Sequence, residues 1–202
     1  MKLYYSPGTC SLALHILLAE TGLPCERVRV DLASKRTEAG VDFRSLNPKG
    51  YVPLLELDDG QLLSEGPVIA QYLCERAGRG DLLPQSGDPA RYRVLEWQAY
   101  ISSELHKGFS PLFNPALAED AKALLRSTLA GKFAWVSEQL QQRDFLCIGR
   151  FTLADAYLFT VSRWSRLVGP DLQSLAPLQR YLVAIAERPA VQAALAAEGL
   201  DA

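Results

Sequence analysis

The 202-residue chain lacks any apolar run approaching the roughly 20 residues a membrane span needs, and it opens without the basic region and apolar core of a signal peptide. The expectation is a soluble, cytoplasmic protein with no membrane partner. A surplus of one charge is also lacking: 21 Lys and Arg stand against 23 Asp and Glu. The net charge of -2 leaves no basic footprint, which argues against nucleic acid as a partner. Histidine is confined to His15 and His106, and the four cysteines, Cys10, Cys25, Cys74 and Cys147, lie far apart. No Cys-x-x-Cys pair or zinc-ligand spacing results, so free thiols and no metal are expected.

What is present reads as two unlike halves. Lys2 to Tyr5 is an apolar and aromatic run that stops at Ser6-Pro7-Gly8, and Cys10 to Glu20 has helical character ending at Gly22. Glu26 to Val30 alternates as a half-covered strand does, and the polar stretch to Leu46 is expected to hold a short helix. Val52 to Leu57, the turn Asp58-Asp59-Gly60 and Gln61 to Leu63 form a hairpin pattern. Pro67 then opens a helix that stops near Gly78. The order is βαβαββα over residues 1–78. Residues 79–88 are rich in turn formers and read as a linker. From residue 89 to 202 only helix signals follow: Asp88-Pro89 caps a long helix, and Thr152-Leu153-Ala154-Asp155 is a capping box.

Cys10 is the foremost chemical candidate, because at a helix N-terminus unpaired N–H groups and the helix dipole favour thiolate over thiol. Position 13 is Ala13, so the second cysteine of a dithiol redox centre is missing and the partner is expected to be an external thiol. Val52-Pro53 begins a strand at a point where a cis bond would offer Val52's backbone to an extended peptide; a trans edge proline is the local default. Glu65-Gly66-Pro67 suits an amino-acid headgroup, although a plain helix cap is its commoner role. His106 reads equally as a helix C-cap and as a donor or proton relay at a sulfur. His15, among leucines, is expected to be structural.

Taken together these residues resemble the cytosolic glutathione transferases, and within them the bacterial beta class. The resemblance spans the chain: Lys2 to Leu12, Asn47-Pro48-Lys49-Gly50-Tyr51-Val52-Pro53, Leu63 to Gly66, Glu104 to Phe109, and Phe151 to Tyr157. It implies a thioredoxin-like α/β domain followed by an all-α domain carrying an apolar co-substrate site, a homodimer, and glutathione as co-substrate of a small electrophile. By position it implies that Cys10 contacts, or forms a mixed disulfide with, glutathione's sulfur and that His106 hydrogen-bonds near it. Lys35 would take the glycine carboxylate, Val52 before a cis Pro53 the cysteinyl backbone, and Glu65 with Gly66 the γ-glutamyl end. Ser103 and Glu104 match positions that serve the partner subunit's ligand. Two departures stand out: Gly66 replaces a frequent hydroxyl residue, and Ala99 a frequent asparagine. Phe109, Phe113 and Trp164 are candidates to line the apolar pocket, with core packing the commoner role of such aromatics. The alternatives are a glutathione-dependent thiol reductase, favoured by a cysteine at the sulfur position, and a non-catalytic binding protein of the same fold.

Overall fold

The computed structural model describes residues 1–201, which divide into two compact units. One comprises Met1–Gly80 with the chain from Pro189 onward, and the other Asp81–Arg188. The terminal helix, Pro189–Glu198, therefore belongs with the first unit, where the sequence pattern had placed it in the helical half. Its tie is a buried polar contact that helical periodicity does not reveal, described with the site below.

The first unit is built on a mixed five-stranded sheet of order β3-β2-β1-β4-β5. Strand β1 (Lys2–Tyr5) runs parallel to β2 (Glu26–Asp31), with Leu3 opposite Arg27, and antiparallel to β4 (Leu54–Glu56). β4 pairs antiparallel with β5 (Leu62–Ser64), and the two-residue β3 (Arg36–Thr37) edges β2. Parallel neighbours require a crossover, which α1 (Leu12–Thr21) supplies. Every residue of α1 from Leu12 to Leu18 is buried, because it packs against both α2 (Gly66–Arg76) and the terminal helix. Gly22, at φ 67°, ends α1 by turning its N–H back to Leu18 O at 3.0 Å, a left-handed turn that glycine makes without steric cost. The short helix expected before Leu46 is a single 3-10 turn, Phe43–Ser45, capped by Asp42. One buried ring there, Phe43 packed with Tyr4, Val30, Val52 and Leu54, requires no longer helical stripe.

In the second unit Asp88 accepts a 2.8 Å bond from Ala90 N–H and caps α3 (Pro89–Tyr100). α3 passes without a break into a π-helical segment, Ile101–His106, where Lys107 N–H reaches Ser102 O, five residues back. A helical turn at Lys107–Phe109 and a 3-10 turn at Ser110–Phe113 follow. The remaining helices are α4 (Glu119–Gln139), α5 (Leu153–Ser162) and α6 (Ala176–Ala186). α5 is buried at every position and packs against α3 and α6; it is apolar apart from Asp155, Thr160 and Ser162. Thr152 and Asp155 form the expected capping box at its start. Among the described residues no helix is long and apolar enough to cross a membrane, and no cluster of metal-binding side chains occurs.

Candidate active site

Cys10 lies between β1 and α1 in a loop tied by its own hydroxyls: Thr9 Oγ1 donates to Ser6 O at 2.8 Å, and Ser11 Oγ donates to Ser6 O at 3.2 Å. The cysteine is partly exposed, and its Sγ–H donates to Val52 O at 3.6 Å. The thiolate expected from its helix position is not what the surroundings favour. Burial pushes the Cys10 thiol up to about 12, against the lowering effect of the Cys10 and Ser11 backbone N–H groups, and the carboxylates of Glu65 and Glu198 raise it further. Desolvation wins over the helix terminus, so this group is a donor at neutral pH. All four cysteines are free.

Around Cys10 the first unit holds the other residues singled out in this half. The Val52–Pro53 peptide is cis. Lys35 Nζ donates to Gly50 O at 3.0 Å and lies 5.8 Å from the centre of the Tyr51 ring. Glu65, at φ 70°, precedes α2 but makes no side-chain cap, so the commoner helix-cap role is absent. Its carboxylate instead pairs with Lys49 Nζ at 2.6 Å, and that lysine also donates to Ser64 Oγ at 3.0 Å. Both ends of the pair are largely exposed, and such surface pairs contribute about 0–1 kcal/mol, so a ligand can displace Lys49 at little cost. Lys49 sits inside a motif the sequence makes conspicuous, but nothing local marks its partner 16 residues on.

The sequence likewise gives no hint of a second contact, which is buried. Glu198, on the terminal helix, accepts a 2.7 Å bond from Gly8 N–H with one oxygen and places the other 2.7 Å from His15 Nδ1. That second approach is close in distance, although it falls outside hydrogen-bond geometry. The Tyr5 ring lies on His15 with centroids 4.4 Å apart. Thus the terminal helix holds the loop that carries Cys10, and His15 is buried beside Glu198 and Tyr5.

The second unit gathers the remaining candidates. The π segment carries Ser103, Glu104 and His106, and π-helical insertions recur at functional sites. Ser103 Oγ donates to Glu104 Oε1 at 3.0 Å, and Lys132 Nζ, 2.7 Å from Glu104 Oε2, is the main reason the carboxyl stays below its usual range. His106 is not a helix C-cap, since helix continues beyond it; its Nδ1 lies 2.6 Å from Tyr157 Oη and its ring meets the Trp164 ring edge-on at 4.9 Å. Phe113 is half exposed and packs on Trp164. Phe109 is fully buried, edge-on to Phe133 and Trp164, and so is core in place of the pocket lining proposed for it.

The first unit is thus a thioredoxin-like sheet with a lone cysteine at its first helix, and the second is helical. Family models match both. The glutathione S-transferase N-terminal domain matches residues 8–76, and the glutathione S-transferase C-terminal domain matches residues 100–189. Glutathione S-transferase GstA of Escherichia coli O157:H7 is 49% identical over 200 residues, covering 99% of this chain and all of that one. The structure of a sphingomonad glutathione S-transferase complexed with glutathione superposes with a TM-score of 0.95 at 45% identity, and a bacterial beta class enzyme from Sphingomonas chungbukensis does so at 0.95 and 40%. Both comparisons cover 100% of each chain. The chain belongs to the glutathione S-transferase family.

Proposed function

We propose that this glutathione S-transferase binds glutathione as co-substrate and directs its sulfur onto the electrophilic carbon of a small apolar molecule. The observation that carries this is the place of Cys10 at the start of α1, where its Sγ–H donates to the backbone of Val52 at 3.6 Å, in a chain of this family. Glutathione's γ-glutamyl carboxylate is assigned to the uncapped first turn of α2 at Gly66, its ammonium to Glu65, its cysteinyl backbone to Val52 and its glycine carboxylate to Lys35. Its sulfur receives hydrogen bonds from Cys10 Sγ–H and His106. A hydrogen bond to a charged group contributes about 1.5–3 kcal/mol, so each donor offsets one to two pK units of the bound thiol. The thiol proton leaves to solvent, the sulfur pair forms the new carbon bond, and the leaving group departs with its own pair. Phe113 and Trp164 receive the apolar end. The protein acts in the cytoplasm as a homodimer in which Ser103 and Glu104 of each protomer serve the other's ligand.

A thiol reductase would need Cys10 as the attacking thiolate, and the burial that raises its pKa works against that step. Conjugation of an activated aryl halide and reduction of a glutathione mixed disulfide, measured on wild type and Cys10→Ala, separate the two. Conjugation is expected to persist in the variant, lowered by about ten- to a hundredfold, the worth of one lost hydrogen bond to a charged group, with little reduction by either protein. Fast reduction by wild type that Cys10→Ala abolishes would replace the transferase with the reductase.

A further inference from the structure

We propose that Tyr157 is a positioning residue that fixes His106 as an Nε2–H donor. Tyr157 lies on α5, the fully buried helix, and is itself buried, with its hydroxyl 2.6 Å from His106 Nδ1 and the two rings edge to face at 5.9 Å. That separation is shorter than the ~2.7–3.2 Å usual for N–H donors and suits a hydroxyl donor. The phenol is also the stronger acid of the two, so the O–H donates into the Nδ1 lone pair, a tautomer assigned from distance and acidity. A neutral imidazole that accepts at Nδ1 must carry its proton on Nε2. Trp164, buried and edge-on to the imidazole, holds the ring's plane from another side.

His106 then enters the reaction as a donor to the sulfur anion and not as the base that removes the thiol proton. This assignment rests on the role given to His106 above. Tyr157 belongs to a recognisable sequence motif, but its partner is 51 residues away on the π segment, a pairing only the fold shows.

The test is 15N NMR of the imidazoles, with His106→Ala assigning the signals, since the chain has two histidines. In wild type His106 is expected to show an unprotonated Nδ1 and a protonated Nε2. In Tyr157→Phe, which keeps the ring and removes the hydroxyl, the tautomers should mix, and kcat/KM for conjugation should fall about two- to tenfold, as for one neutral hydrogen bond. A protonated Nδ1 in wild type, or an unchanged tautomer in Tyr157→Phe, overturns the proposal; the wild-type spectrum decides even where the variant does not fold. If the tautomer shifts as expected but Tyr157→Phe and His106→Ala both keep the wild-type rate, Tyr157's hold on His106 stands, and the catalytic role given to His106 falls.

Discussion

In the ligand-free protein at neutral pH, Cys10 will react with iodoacetamide on the order of a hundred- to a thousandfold more slowly than an ordinary cysteine. The thiolate is the reacting form, and each pK unit above an ordinary thiol lowers its fraction tenfold; burial carries this thiol from 9.0 to about 12. Partial exposure keeps the reagent's access from being the whole limit. Peptide mapping distinguishes Cys10 from the other three cysteines, and the rate should still be rising above pH 9 with no plateau near neutrality. A plateau below pH 8 would mean that the helix N-terminus had prevailed over desolvation. The stability sign follows from the raised value: the contribution is fully present below the unfolded pKa near 9 and is lost as pH climbs through the folded value near 12.

Asp155→Ala should cost stability on the order of 3–6 kcal/mol, a large share of the ~5–15 kcal/mol that a folded protein holds. The carboxylate is fully buried and accepts from Leu146 N–H at 2.9 Å, Thr152 N–H at 2.8 Å, Thr152 Oγ1–H at 2.9 Å and Tyr181 Oη–H at 3.0 Å. Alanine leaves four buried donors unmatched, and each such group costs about 1–3 kcal/mol before water or repacking recovers part of it. Asp155→Asn keeps one acceptor but turns an amide toward donors, so about half the loss is expected. Urea unfolding with unchanged slope checks both variants. A loss under about 1 kcal/mol for alanine would show that the network does not hold α5.

The strand, loop and helix at the start, the hairpin around Asp58-Asp59-Gly60 and the Thr152–Asp155 box were legible because each depends on neighbours in sequence. The site was legible only in part, for the same reason. The position of Cys10 at a helix start is local, but the groups that set its acidity include Glu65 and Glu198, far along the chain. The placement of the terminal helix depends on Glu198 meeting Gly8 and His15. Neither periodicity nor composition encodes that meeting. The π turn is likewise silent: Ser103, Glu104 and His106 stand out by resemblance or residue type, but nothing local marks the helix there as widened. Phe109 shows the opposite failure, since an aromatic near a site and an aromatic in a core look alike until burial distinguishes them.

The most direct test of glutathione activation is the ultraviolet absorbance of the bound thiolate, titrated against pH in the complex of wild-type protein with glutathione and repeated with Cys10→Ala and His106→Ala. The bound sulfur should ionise at least about one unit below an ordinary thiol, and removal of either donor should return about one to two units of that shift. A bound thiol that ionises as it does free in solution, or a depressed value that neither substitution moves, would contradict the account, since the protein would then hold glutathione without activating it through these residues.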